Sequence, residues 1–159
     1  CLGTIAYSTV LAYNTRKYGA KPPRAWADFW DAKAFPGNRA FNGNRAISVL
    51  EIALQADGVA PGDVYKELSA PAGIDRAFRK LEQLKPNVTA WWLSEAQQSQ
   101  FLKDNEVDMT SGWNGRIQSA IDDGAPAAMS FDGGVIQYDC YAIPKGAPNK
   151  TVPRKFWQS

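Results

Sequence analysis

The apolar and polar positions along the chain switch repeatedly between two periods. Residues 3–15, GTIAYSTVLAYNT, are rich in β-branched and aromatic side chains and lack helix-capping signals, which predicts one or two strands ending near Arg16. Proline and glycine then punctuate residues 17–38, leaving room for one short helix around Trp26 to Trp30. Ile47, Leu50, Ile52 and Leu54, between the Asn42 to Asn44 turn and Gly58, predict a helix of about three turns. Ile74, Ala77, Phe78, Leu81 and Leu84 recur every three or four residues and predict another, stopped at Pro86. NVTAWW reads as a strand, Ser94 with Gln97 as a capping box opening a helix to about Asn105, and EVDMTS as a further strand.

Trp113, Ile117 and Ala120 or Ile121 share one face of a helix that Gly124 ends. AAMSF and GVIQYDCYAIP are then the closing strands. The second puts Val135, Gln137, Asp139 and Tyr141 on one side and Ile136, Tyr138, Cys140 and Ala142 on the other. Strands alternating with helices of this length predict an α/β layer fold.

With 159 residues, 45% of them hydrophobic and 21% charged, the chain is long enough for a packed core, and no repeat or linker divides it. The formal net charge is +2 with the signs interspersed, so no basic stripe points to nucleic acid. No apolar run approaches the roughly 18 residues of a membrane span. The chain opens within what reads as strand interior, and KTVPRKFWQS stops where a helix would be starting, so residues 1–159 are expected to be one unit excised from a longer protein. Cys1 and Cys140 could be bridged in an exported protein or remain two unpaired strand residues.

There is no histidine, which closes the Ser-His-Asp, Cys-His and His-zinc arrangements, and two distant cysteines cannot build a Cys-only metal centre. Walker A, GxGxxG and GxSxG patterns are also missing. No metal, cofactor or enzymatic activity is expected. Asp122 and Asp123 form a carboxylate doublet, but beside Gly124 at a helix end they read as a solvated pair.

Six tryptophans remain, at positions 26, 30, 91, 92, 113 and 157. Trp26 and Trp30 are four apart on one helix, the spacing for docking it, and Trp91 and Trp92, adjacent on a strand, must face opposite ways. Trp113 stands where a strand gives way to a helix, the place where open α/β sheets bind ligands. It is either a cleft wall or core. Asp139 lies within an otherwise apolar strand and requires a cation or hydrogen-bond donors; Arg116 or Arg45 could supply an ordinary structural ion pair.

Three phrases in order, PRAWADFWDAKAFPGNRAF, VDMTSGWNGRIQSAIDDG and GGVIQYDCYAIPKGAPNK, resemble the extracellular solute-binding proteins of ABC importers, specifically the spermidine/putrescine-binding group. The resemblance implies a type II periplasmic-binding fold, in which two lobes close on a solute. This chain would be a single three-layer α/β/α lobe with a mixed central sheet, residues 149–159 beginning the helix that leads to the missing lobe. It further implies that Trp113 packs on the ligand, that Asp139 receives an ammonium group, and that Asn114 of the WNG phrase, Tyr7 and Ser8 are ligand-facing. If that layout holds, Cys1 and Cys140 lie on strands near the hinge and would form a disulfide.

Two departures qualify the match: Gln137 stands where the group has an aromatic residue, and Ser48 where it has an acidic one. Arg45 near the same helix start, and Arg116 one turn beyond Trp113, could accept a ligand carboxylate. The expectation is a periplasmic receptor, or an extracellular one anchored to the membrane of a Gram-positive cell, that captures a polyamine-like solute and delivers it to permease subunits, without nucleic acid. An amino-acid-like zwitterion is the alternative solute. A carboxylate-dependent glycosidase using Asp139 with a second acid is the alternative from another class.

Overall fold

The computed structural model describes residues 2–149. The expected bridge partner Cys1 and nearly all of the closing helix expected over 149–159 lie outside the described residues.

A five-stranded sheet runs in the order β3-β2-β4-β1-β5. Its strands are β1 (Leu2–Asn14), β2 (Arg39–Asn42), β3 (Val88–Trp92), β4 (Met109–Trp113) and β5 (Ala127–Tyr141). β2 is parallel to both β3 and β4, while β1 is antiparallel to both β4 and β5, so the sheet is mixed as expected.

Alternation along the strands sends side chains to two cores. Leu11, Phe41 and Met109 pack on one face with α2 (Trp26–Trp30) and α3 (Val49–Ala56), and α5 (Pro71–Leu84) closes that layer through Leu84. Val10, Ala12 and Ala40 pack on the other against Leu102 of α6 (Glu95–Lys103) and Ile117 of α7 (Asn114–Asp122). Helices therefore cover both faces, giving three α/β/α layers. Two short helices, α1 (Thr15–Tyr18) and α4 (Val64–Leu68), complete the set.

Several local expectations stand. The helix at Trp26–Trp30 has the predicted bounds, and both indoles dock it, Trp26 Nε1 donating to Gly133 O at 2.9 Å and Trp30 Nε1 to Lys80 O at 2.9 Å. Trp92 is buried and Trp91 exposed, as their adjacency on β3 requires. Gln97 Oε1 accepts from the backbone N–H of Ser94 at 3.1 Å at the start of α6, one half of the capping box.

Others need correction. The closing segment is one strand, β5, and the register against β1 jumps from Val135 opposite Thr9 to Ser130 opposite Leu11. The excess residues form a bulge, where Gly133 takes φ 70° and a Cβ would meet Trp26 Cδ1 at 2.9 Å. The α5 stripe is rotated: Phe78 is 55% exposed and Ile74 37%, whereas Gly73, Ala77 and Leu84 are buried. Small residues decide this, because a Cβ on Gly73 would lie 2.0 Å from Glu67 O, so α4 and α5 approach through glycine rather than through the bulky positions. The helix after the Asn42 to Asn44 turn is shorter than expected, running from Val49 to Ala56. Strand β2 was not predicted. All four of its residues are buried, and a short parallel strand covered on both faces shows no alternation to read.

Candidate functional site

The parallel strands β2, β3 and β4 end along the same edge of the sheet, and each is followed there by a helix, α3, α6 and α7. Asn42, Trp92 and Trp113 are the last residues of those strands, so the segments after them form a rim at the carboxyl edge. β1 and β5 extend past it: Thr9 is the last β1 residue paired with β4, opposite Trp113, and beyond it β1 continues with β5 alone. In that ribbon Tyr7 lies opposite Gln137 and Ile5 opposite Asp139. Residues opposite each other, and residues two apart, share a face. Tyr7, Thr9, Trp113, Gln137 and Asp139 are thereby brought to one side of the sheet edge.

Two adjoining cavities open there. The larger, about 490 Å³, is lined by Ile5, Tyr7, Arg45, Glu95, Trp113, Arg116 and Asp139, among others. The smaller, about 240 Å³, is lined by Asn42, Asn44, Arg45, Ser48, Ser94, Glu95, Trp113 and Gln137, among others. Arg45, Glu95 and Trp113 belong to both, so they form the partition.

Trp113 is half-buried and lines both cavities: its ring packs on Tyr7 with centroids 5.1 Å apart and is approached by the Arg45 guanidinium, 6.0 Å from its centroid. Glycine at 112 lets the side chains of Ile117 and Gln98 pack closely against the end of β4. A Cβ on Gly112 would meet Ile117 Cδ1 at 2.7 Å and Gln98 Oε1 at 3.3 Å, and Gln98 Oε1 also accepts the Trp113 backbone N–H at 2.8 Å.

The charges divide into one spent pair and two unspent ions. Arg116 Nη2 meets Glu95 Oε2 at 2.7 Å. Among the described residues Arg45 and Asp139 have no ion-pair partner within 4.0 Å. The structural ion pair considered for Asp139 is therefore not formed with either arginine. Burial raises the pKa of Tyr7 above that of a free phenol, the field of Asp139 raises it further, and Arg45 opposes them.

Beside the smaller cavity lies a polar triad of two buried residues, Ser48 and Thr9, and the half-buried Gln137. Ser48 precedes α3 in the left-handed region, at φ 65°, an unusual state for a residue with a side chain. Its hydroxyl donates to Ile47 O at 2.6 Å and accepts from Thr9 Oγ1 and from Gln137 Nε2, each at 3.1 Å. Gln137 Nε2 also reaches Thr9 Oγ1 at 3.4 Å.

The structure thus brings Trp113, Asp139, Tyr7, Gln137, Ser48 and Arg45 together. Asn114 and Ser8 line neither cavity: Asn114 Oδ1 accepts the Ser8 N–H at 2.9 Å, continuing the β1–β4 ladder where its backbone pairing ends, and Ser8 is buried on the opposite face of β1 beneath Gly134. Cys140 is exposed on β5 opposite Gly3. Sequence reasoning missed Glu95, Thr9, Asn42 and Asn44. Glu95 follows the Ser94 cap that marks the start of α6, so the signal for its place at the rim was available. Among the described residues no group of three or more Asp, Glu, Cys and His is placed to hold a metal, and no helix is long and apolar enough to cross a membrane.

Comparison with known proteins fits this geometry. The gamma-aminobutyric acid-binding protein of Pseudomonas aeruginosa is 43% identical over 155 residues, 98% of this chain and 43% of that protein. The PBP MotA from A. tumefaciens B6, solved in complex with glucopine, superposes with a TM-score of 0.89 at 43% identity, covering 97% of this chain and 47% of MotA. The spermidine/putrescine-binding periplasmic protein 1 of Haemophilus influenzae is 32% identical over 147 residues, 91% of this chain and 38% of that protein. The chain thus spans less than half the length of each of these proteins. The family described as bacterial extracellular solute-binding protein matches residues 1–156, and this chain belongs to that family.

Proposed function

We propose that the chain carries one side of the solute site in the substrate-binding component of an ABC importer, and that its solute is a small molecule bearing both an ammonium group and a carboxylate. The observation that carries this reading is the pair of unspent opposite charges, Asp139 and Arg45, lining one cavity with the Tyr7–Trp113 wall. Asp139 receives the ammonium group and Arg45 the carboxylate, each through a charge-assisted hydrogen bond. The indole supports the methylene chain between them.

This reverses the order of the two solutes expected from the sequence. A polyamine needs counter-charges for both of its ends, but Glu95 is already held by Arg116, and Arg45 stands over the indole face that a second ammonium group would use. The gamma-aminobutyric acid-binding relative is also more similar in sequence than the spermidine/putrescine binder. The receptor works outside the cytoplasmic membrane, in the periplasm or at the cell surface, and hands its solute to permease subunits. Ligand contacts made in the closed state and absent from the open one drive closure. No bond is made or broken in the solute. Glu95 does supply a second carboxylate to the cavity of Asp139, as a glycosidase would need, but it is engaged by a guanidinium.

Calorimetric titration of the full-length protein with gamma-aminobutyrate, putrescine and spermidine tests the assignment. Gamma-aminobutyrate binds most tightly, and Asp139→Asn and Arg45→Gln each weaken it by about 10- to 100-fold. Mass spectrometry recovers the solute unchanged after incubation. Tighter binding of putrescine than of gamma-aminobutyrate overturns the reading.

A further inference from the structure

Half of the residues lining the smaller cavity, Asn42, Asn44, Ser48, Ser94 and Gln137, are neutral and polar, and hydrogen bonding fixes the polarity of two of them. The constraint at Gln137 starts from a backbone carbonyl. Ile47 O can only accept, so the Ser48 hydroxyl spends its proton on it at 2.6 Å and must accept from its other neighbours. Those neighbours are Thr9 Oγ1 and Gln137 Nε2, both at 3.1 Å. Thr9 has spent its proton on Ser48 and so accepts as well, from Gln137 Nε2 at 3.4 Å. The amide nitrogen of Gln137 is turned down into the triad, and its Oε1 has no partner among the described residues.

Asn42 is fixed with the opposite polarity. Its Oδ1 accepts the backbone N–H groups of Asn44 at 2.8 Å and Arg45 at 3.2 Å, which only an oxygen can do. Its Nδ2 is left without a partner among the described residues. It is also not among the fully enclosed unsatisfied atoms, and Asn42 lines the cavity. One lining residue therefore carries a fixed donor and another a fixed acceptor, in a chamber that shares Arg45, Glu95 and Trp113 with the cavity of Asp139. A single ammonium group or carboxylate can use only one of the two, and an alkyl extension leaves both unpaired on burial.

We infer that the solute is longer than its charged head: a neutral tail bearing groups that both donate and accept hydrogen bonds, as hydroxyls and carboxamides do, occupies the 240 Å³ chamber, with Asn42 and Gln137 as its specificity-determining residues. The inference rests on the zwitterionic head reading given above and extends it.

The test compares amines with one common head. Gamma-aminobutyrate, its N-(1-deoxyglucityl) derivative, its N-(5-carbamoylpentyl) derivative and its N-hexyl derivative are titrated calorimetrically into the full-length protein. The polyol derivative, the carboxamide derivative or both bind about tenfold tighter than the hexyl one, the value of two ordinary net hydrogen bonds; which of them does so identifies the tail. In Gln137→Leu, and separately in Asn42→Asp, which keeps the turn-forming oxygen and removes the donor, that ratio falls to within about threefold. Asp139→Asn weakens all four probes together and leaves the ratio intact. Thermal melts of each variant confirm folding, and the ratio within one folded protein is the readout. If gamma-aminobutyrate binds and neither polar derivative exceeds the hexyl one, the tail inference is overturned and the head reading stands. If none of the four binds, the head reading fails and the inference falls with it.

Discussion

Arg39 is the largest charged side chain buried in the fold, only 1% exposed, and among the described residues no carboxylate pairs with it. Its guanidinium is satisfied by backbone alone: Nε donates to Phe29 O at 2.7 Å, Nη1 to Gly37 O at 2.7 Å, and Nη2 to the carbonyls of Phe35 and, at 3.4 Å, Asp31. It ties the irregular segment after α2 to the first residue of β2, the strand that ends at Asn42 and leads to Arg45 in the candidate site. Two effects compete when it is removed. Arg39→Met relieves the desolvation of the guanidinium, which is the main reason its pKa lies below the usual arginine value. The same change strands the carbonyls of Phe29 and Phe35, which belong to buried residues.

Each stranded buried carbonyl costs about 1–3 kcal/mol, and the guanidinium is weakly hydrated to begin with, so the loss should win, at about 4 kcal/mol in all. For a chain of this size that lowers the melting temperature by roughly 10 °C. Arg39→Lys retains the charge but not the fork, satisfies about half of the carbonyls, and should cost about 2 kcal/mol. Urea denaturation of the three proteins measures the order. If Arg39→Met lies within 1 kcal/mol of the parent, the carbonyls find water and the account of this loop is refuted.

Gly112→Ala places a methyl 2.7 Å from Ile117 Cδ1, obliges that buried side chain to repack, and should cost about 1–3 kcal/mol; because Trp113 stands between Gly112 and α7, the indole emission maximum should change with it, and an unchanged stability would contradict the packing. Burial, reinforced by Asp108 and opposed by Arg39, pushes Tyr18 up to about 12. Its folded pKa lies above the unfolded value, so its contribution is whole below pH 10 and is lost as the pH rises toward 12, at roughly 1.4 kcal/mol per unit. Tyr18→Phe should flatten that slope in urea melts at alkaline pH, and a slope that survives the substitution would assign it elsewhere.

Legibility in the sequence followed how local each signal was. Trp26–Trp30, the α6 cap and the opposed faces of Trp91 and Trp92 are dictated by neighbours in the chain, and they stand as read. The α5 stripe misleads because its orientation is set by Gly73 meeting α4, a contact between elements that periodicity does not encode. β2 is invisible for a related reason, being too short and too buried to alternate. At the site, Trp113 and Asp139 could be singled out by their placement, yet that placement left each with two readings. What separates them is register: only the pairing of β1 with both β4 and β5 shows that Thr9, Trp113, Gln137 and Asp139 converge, and that Ser8, one residue from Thr9, points away.

Register also brings together the two positions where the sequence departs from the pattern that the polyamine resemblance implies. Ser48 and Gln137 are 89 residues apart and share one hydrogen bond, so a change at either alters what the other contacts. Their combined effect on the site is a matter of charge. The cavities are lined by Arg45 and Arg116 against Glu95 and Asp139, which sums to zero and suits a solute that is itself neutral overall. An acid at position 48 would leave the site with an excess negative charge, which suits a second ammonium group. Ser48→Asp should therefore raise the affinity for putrescine relative to gamma-aminobutyrate by about 10- to 100-fold, the value of one charge-assisted hydrogen bond. The backbone there tolerates the change, since aspartate enters the left-handed region more readily than most residues. Competition calorimetry with both solutes on the folded variant reads the ratio directly, and a ratio unmoved by the added carboxylate would mean that charge balance at this edge does not choose the solute.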